Sequence, residues 1–140
     1  MKALTLTQPW ASLVILGIKH WETRGWRPRG IDPGDRIAIH AAKGWTRADI
    51  DFAFELASRN VLPLALHAEP DTDLPRGAVL GTVRLIGAHL TGIKHMEPGP
   101  IERLLGDYSP GRWVWELADP QPFPEPIPAR GMLGLWEWVR

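Results

Sequence analysis

Apolar residues along this chain recur at two spacings, and the switches between them lay out the elements. Residues 2–6 alternate, with Leu4 and Leu6 on one face, and read as a short opening strand. Trp10, Leu13, Val14 and Gly17 then stand at i, i+3, i+4 and i+7, one face of a helix. Thr7 or Gln8 caps that helix, and Pro9 suits its first turn, where the missing N–H has no partner to lose. Gly17 can take the left-handed conformation that ends it. Residues 18–26 carry β-favouring Ile, Trp and Thr and read as a strand. Arg27-Pro28-Arg29-Gly30 and Asp32-Pro33-Gly34-Asp35 are turns by composition. Residues 36–40 set Ile37 and Ile39 against Arg36, Ala38 and His40, a half-buried strand.

Thr46 caps the best-defined helix, residues 47–59. Ile50, Ala53, Phe54 and Ala57 form its predicted apolar stripe, widened by Leu56, and Asp49 suits a reciprocal cap. A Pro- and Asp-bearing loop spans 63–75. Residues 78–87 read as a strand, and 101–105 as one helical turn. Residues 112–117 alternate Trp113, Trp115 and Leu117 against Arg112, Val114 and Glu116. Residues 120–128 hold five prolines in nine positions, which predicts an extended edge or a covering loop. Residues 133–139 form the last strand, with Leu133, Leu135 and Trp136 inside. No repeat or linker divides the chain. The expected fold class is α+β, mainly β: one domain over 1–140, a small closed or partly closed β-barrel with peripheral helices.

Composition narrows the function. With 140 residues and 44% apolar content the chain is long enough for a real core. No apolar run approaches the length of a membrane span, and no leader pattern opens the chain, so a cytoplasmic protein without membrane attachment is expected. The absence of cysteine excludes disulfides, Cys-ligated zinc and a thiol nucleophile. Net charge is zero, which argues against indiscriminate polyanion binding. The charge is uneven, however: residues 19–43 hold six basic and three acidic side chains, and 44–76 hold three and six. Of the eight tryptophans, most are read as core fillers. Trp26 and Trp45, in loops with Arg and Lys, are the candidates for exposure and base stacking.

The chain has no phosphate loop, dinucleotide fingerprint, zincin motif or nucleophile elbow. Its five histidines, His20, His40, His67, His89 and His95, form no i, i+4 pair, so neither metal nor cofactor is expected. Ser12, inside an apolar helix, is expected to bond back to a carbonyl. What remains is a cluster. Glu22 and Arg24 share a face of the second strand. Lys19 joins them if Gly17 and Ile18 form a turn, and His40 and Lys43 approach from the next strand. Lys, Arg and His donors suit phosphate or carbonyl oxygen, and a carboxylate among them can hold an Arg in place.

These residues carry a resemblance. Gln8-Pro9-Trp10-Ala11-Ser12-Leu13, then Gly17-Ile18-Lys19, Glu22 and Arg24, is similar to the signature of the ASCH domain, the activating signal cointegrator homology domain. That signature reads Gly-x-Lys-x-x-Glu-x-Arg. Ile39-His40-Ala41-Ala42-Lys43 resembles the family's second basic stretch, and residues 77–83 its central strand. The resemblance implies a PUA-like fold, with a cleft beside the first helix edged by the Lys-Glu-Arg strand. It implies RNA or a nucleotide-like ligand as partner, with Gln8, Trp10, Lys19, Glu22, Arg24, His40 and Lys43 as candidate ligand-binding residues. One branch of the family is an amidohydrolase acting on N4-acetylcytidine and carries Thr where this chain has Glu22. Thr23 is one position later and is expected to face the other way. Other relatives are associated with ribonuclease activity. Two function classes follow. In a binding module, Lys19, Arg24 and Lys43 contact phosphate while a Trp stacks on a base. In a hydrolase acting on a modified nucleoside or RNA, Lys19 polarises and Glu22 is the general acid/base. A protein-interaction domain is the third possibility. Neutral charge favours a small ligand or short segment, and the missing nucleophile favours binding.

Overall fold

The computed structural model of the chain describes residues 1–63 and 74–140. Its elements are β1 (Lys2–Leu6), α1 (Trp10–Ile15), β2 (Trp21–Arg24), β3 (Arg36–Ala41), α2 (Arg47–Ser58), β4 (Ala78–Leu90), α3 (Pro100–Leu105), β5 (Trp113–Pro128) and β6 (Leu135–Glu137). The six strands form one sheet in the order β2-β5-β4-β3-β1-β6. β1 and β3 run parallel, and every other neighbouring pair is antiparallel.

The sheet curls because its two longest strands bend. The β4–β5 register shifts between Val79 and Gly81, between Thr82 and Arg84, and between Leu85 and Gly87. Each irregularity turns the strand and adds local twist. At Gly81 the strands come so close that a Cβ would stand 2.3 Å from the Gln121 carbonyl oxygen and 2.8 Å from Pro122 Cα. The result is a half-barrel whose edges, β2 and β6, do not pair. One side-chain link runs from edge strand β2 to β1, where Arg24 Nη2 donates to the Thr5 carbonyl at 2.9 Å.

α1 fills the mouth of the curl. Residues Ala11 to Ile15 are all buried, which is why this helix has no polar face. Val14 and Ile15 join Leu4, Leu6, Ile37, Ile39, Leu85 and Trp115 inside the curl. Leu13, on the other side of α1, packs with Ala53, Leu56, Leu62, Leu74 and Leu105, so α2 and α3 lie over it. A third cluster of Ala3, Ala38, Val79, Trp136 and Trp138 covers the far face of the sheet. Among the described residues no helix is long and apolar enough to cross a membrane.

Several expectations are corrected. The α2 cap forms reciprocally between Thr46 and Asp49 as expected, but the buried positions are Ala53 and Leu56. Phe54 is exposed, because Phe52 stacks on Trp10 at 5.5 Å and sets the helix's rotation. The second strand starts at Trp21 and not at residue 18, since the N–H groups of Ile18 and Lys19 both bond to the Leu13 carbonyl at 3.0 Å. The strand from Ala78 continues to Leu90. Leu133 is 98% exposed, because Gly134 at φ +67° turns the chain before β6 begins. The proline-rich run is indeed extended, and it pairs only with β4, since β2 lies opposite Trp113–Glu116 alone. Its missing donors therefore have an unpaired side to face. Trp26 and Trp45 are half-buried; Trp26 packs edge-on to Trp115 with ring centroids 5.0 Å apart. Most of the 63–75 loop, with His67, lies outside the described residues.

The crossing at Gly81 gives a stability test. Gly81→Ala forces two backbone segments apart, an overpacking cost of about 1–3 kcal/mol or more. Gly87→Ala meets only the end of the flexible Glu116 side chain, at 2.9 Å, and should cost less. Urea unfolding of both variants compares them, and equal losses would show that the strands do not cross this tightly.

Candidate functional site

The site begins where α1 ends. Gly17 at φ +75° reverses the chain, and the two hydrogen bonds from the Ile18 and Lys19 N–H groups to the Leu13 carbonyl swing Lys19 inward. The Lys19 side chain is 1% exposed, and its Nζ donates to the Trp21 carbonyl. The same Nζ stands 3.4 Å from Glu22 Oε1. Glu22 Oε2 is 3.3 Å from Arg24 Nε. One nearly buried carboxylate thus bridges two cations, the lysine behind it and the arginine beside it. Pairing of Glu22 with Trp115 and of Arg24 with Trp113 across β5 fixes this edge of the sheet.

α3 supplies the opposite wall. Glu102 accepts from the His20 N–H at 2.7 Å and the Trp21 N–H at 3.3 Å, which ties α3 to the start of β2. Trp10 Nε1 donates to the Leu105 carbonyl at 2.8 Å. Between these walls lies a cleft of about 510 Å³, lined by Thr5, Leu6, Thr7, Trp10, Glu22, Thr23, Arg24, Asp49, residues 104–107 and Arg112. The Thr23 hydroxyl accepts from the Asp107 N–H at 3.2 Å, and Arg112 Nη2 donates to the Thr23 carbonyl at 3.1 Å. Bonds from the Ser109 hydroxyl and N–H hold the Asp107 carboxyl below the usual carboxylate range. Beside Trp21, burial pushes the Tyr108 phenol well above its ordinary range, and nearby Glu102 and Glu22 add to the effect. The Nε–H groups of Arg24 and Arg112 are buried and make no hydrogen bond within the described protein.

The cleft is electrostatically mixed. Arg24 and Arg112 share its wall with Glu22, Asp49 and Asp107. Fixed donors and acceptors alternate around a concave surface, an arrangement that suits a polar ligand with both N–H and C=O groups better than a bare anion.

Of the residues singled out from the sequence, Trp10, Glu22 and Arg24 line the cleft. Lys19 does not, because the turn at Gly17 places it behind Glu22. Gln8 is fully buried. Its Oε1 accepts from the Ser12 N–H at 3.0 Å, and its Nε2 donates to Ser12 Oγ at 2.8 Å and to the Pro75 carbonyl at 2.7 Å. Gln8 therefore braces the helix start, and the Ser12 hydroxyl is engaged by a side chain and not, as expected, with a carbonyl. His40 and Lys43 line a separate depression on the other side of β1. His40 is 2% exposed, with Nε2 at 2.8 Å from the Ala129 carbonyl and Nδ1 at 3.2 Å from Thr5 Oγ1. Thr23 lines the cleft after all, contrary to its expected direction. Asp107 and Arg112 went unrecognised as site residues. They meet Thr23 across 84 and 89 positions of sequence, a separation that leaves no local pattern to read.

Residues 4–126 match the family described as the ASCH domain. No curated protein matches the chain. Among solved structures, the chain resembles ASCH from Zymomonas mobilis and its Tyr-to-Phe and Ser-to-Ala variants. Each comparison gives a TM-score of 0.55 at 19% identity, with 99% of this chain and 87–89% of the other covered. That likeness is one of fold, a mainly β half-barrel of the PUA-like kind with three α-helices among the described residues.

Removal of Glu22 tests the ion triad. Glu22→Ala leaves the buried Lys19 ammonium with only a carbonyl partner, which should cost about 3–5 kcal/mol. Lys19→Met leaves Glu22 still paired with Arg24 and should cost less. Adding Lys19→Met to Glu22→Ala should recover part of the loss. Urea unfolding of the four proteins closes the cycle, and strictly additive costs would show that the two residues are not coupled.

Proposed function

The chain belongs to the ASCH domain family, and on that premise we propose that the cleft beside α1 binds RNA or a nucleotide-like ligand. The observation that carries the reading is the Glu22 carboxylate, fixed between Lys19 and Arg24 at the wall of an open cleft. An ion triad this buried gains little for stability over well-packed apolar side chains, so its place at a cleft wall is better explained by recognition. Glu22 accepts from the N–H or O–H groups of a base or ribose. The guanidinium groups of Arg24 and Arg112 at the cleft wall donate to carbonyl or phosphate oxygen. Trp10, with Phe52 stacked beside it, offers an aromatic surface for a base. Lys19 acts through Glu22 as a positioning residue. A volume of about 510 Å³ falls within the range of small-molecule sites and suits one nucleoside unit.

Thermal shift and calorimetry with a panel of nucleosides, nucleoside monophosphates and short single-stranded RNA test the reading. A specific ligand at a hundred times its Kd should stabilise the fold by about 2.7 kcal/mol. Arg112→Ala should weaken its binding by about 1.5–3 kcal/mol, the range for a hydrogen bond to a charged group. If no member of the panel stabilises the protein, the proposal fails. Release of acetate from N4-acetylcytidine, or cleavage of the RNA, that is lost in Glu22→Gln would replace the binding reading with a hydrolase.

A further inference from the structure

The depression across β1 has the charge that the cleft lacks. It measures about 910 Å³, and Lys43, Arg76 and Arg130 line it with no carboxylate among the described lining residues. All three cations are exposed, and none forms an ion pair among the described residues. In a chain of zero net charge, such a cluster is a local feature and not part of a general positive field.

The backbone beneath these cations is held in place. Arg76 Nη1 donates to the Lys43 carbonyl at 2.7 Å, and its guanidinium lies 5.2 Å from the centre of the Trp45 ring. Arg130 rises between two pinned neighbours. Ala129 donates its N–H to the Gly77 carbonyl at 3.1 Å, and the Ala129 carbonyl is held by His40. Gly131 packs against the His40 ring so closely that a Cβ would stand 2.6 Å from Cε1. Met132 and Leu133 form an exposed apolar rim beside the cations.

Thr5 connects this depression to the cleft. It lines both: its carbonyl takes Arg24 on the cleft side, and its hydroxyl is bonded to His40 on the other. We propose that the Lys43–Arg76–Arg130 depression is a second subsite, which holds the sugar–phosphate backbone of a single-stranded nucleic acid whose neighbouring nucleoside occupies the cleft. The inference rests on the cleft reading for the position of that nucleoside, but the cations, the pinned backbone and the apolar rim are independent of it. Cations bind the phosphates, and Met132 and Leu133 pack against the adjoining base or sugar. A duplex would hold its bases stacked and keep one from entering the cleft beside it.

Binding of a single-stranded RNA of about ten nucleotides, a length within the range of single-strand sites, tests this. It is compared with binding of the nucleoside panel and of a duplex of the same sequence, at several salt concentrations. The proteins are wild type, Lys43→Ala/Arg130→Ala and the equal-charge control Arg27→Ala/Arg29→Ala. The subsite variant should weaken single-strand binding about tenfold or more. It should also flatten the salt dependence by about 1.4 in log–log slope, roughly 0.7 for each lost phosphate contact. The control should change both by less than half as much. Nucleoside binding should be the same in the subsite variant as in wild type. Single-strand affinity and slope unchanged in that variant would overturn the subsite, even if nucleosides bind the cleft. Duplex binding as tight as single-strand binding would overturn it as well. Strand binding that depends on Lys43 and Arg130 without binding of any nucleoside would support the subsite and sink the cleft reading alone.

Discussion

A lysine with 1% of its side chain exposed needs an opposite charge within reach, and Glu22 is the one that meets it. The rest of the site follows from this pairing. To reach Glu22, Lys19 must leave α1 through the left-handed turn at Gly17, which shortens β2 and sets its first residue at Trp21. To balance its second oxygen, Glu22 takes Arg24, and Arg24 extends to the Thr5 carbonyl on β1. The same chain of contacts that neutralises a buried ammonium therefore links edge strand β2 to β1. In a half-barrel with unpaired edges, side-chain links of this kind hold what strand hydrogen bonds elsewhere would hold.

Thr5 stands at the junction of the two concave surfaces, and its three polar contacts explain how they keep a fixed relation. The carbonyl serves Arg24. The hydroxyl accepts from Trp136 Nε1 at 3.1 Å and pairs with His40 Nδ1. With Nε2 donating to the Ala129 carbonyl, His40 is the tautomer whose Nδ1 accepts, so the hydroxyl donates to it. A directed chain of bonds thus runs from the C-terminal strand through β1 to β3 and on to the backbone that carries Arg130. A buried network with every member satisfied is rigid. Side chains on either side of β1 are accordingly held at a set spacing, a condition for one ligand to span both.

The sequence made the local half of this structure legible. The helical period of α1, its glycine stop, the reciprocal cap of α2 and the places of the strands along the chain follow from period and turn chemistry, which act within a few residues, whereas the expected cap of α1 at Thr7 or Gln8 gives way to Pro9. The Gly-x-Lys-x-x-Glu-x-Arg stretch stood out through its family resemblance and not through spacing, and of its three charged residues Glu22 and Arg24 line the cleft. What was misread depends on contacts far apart in sequence. Phe52 faces inward because Trp10 is there, and Phe54 is left outside. Thr23 reaches the cleft because Asp107 comes to it from beyond α3. His40 was read as a ligand-facing donor, but it is buried by the 129–131 backbone, ninety positions away, and bonds to it. Period alone gives the face of a residue on its own strand; it does not give what another segment lays over that face.

The division of charge between the two surfaces separates two tasks that a basic cluster in sequence had merged. A cleft that alternates Arg24 and Arg112 with Glu22, Asp49 and Asp107 gains little from a bare phosphate, since each carboxylate repels what each arginine attracts. It gains much from a group with its own donors and acceptors, whose pattern can be matched one by one. Among the described residues, the depression offers cations without carboxylates and so favours charge over pattern. In nucleic-acid recognition these are different contributions: phosphate contacts position a strand, and contacts to base edges distinguish it. Lys43 was grouped with Glu22 and Arg24 because the next strand was expected to bring it alongside them. In the fold, β1 stands between them. On the proposed reading, selectivity on one side of β1 and salt-sensitive affinity on the other can then vary independently, even though a single threonine joins the two walls.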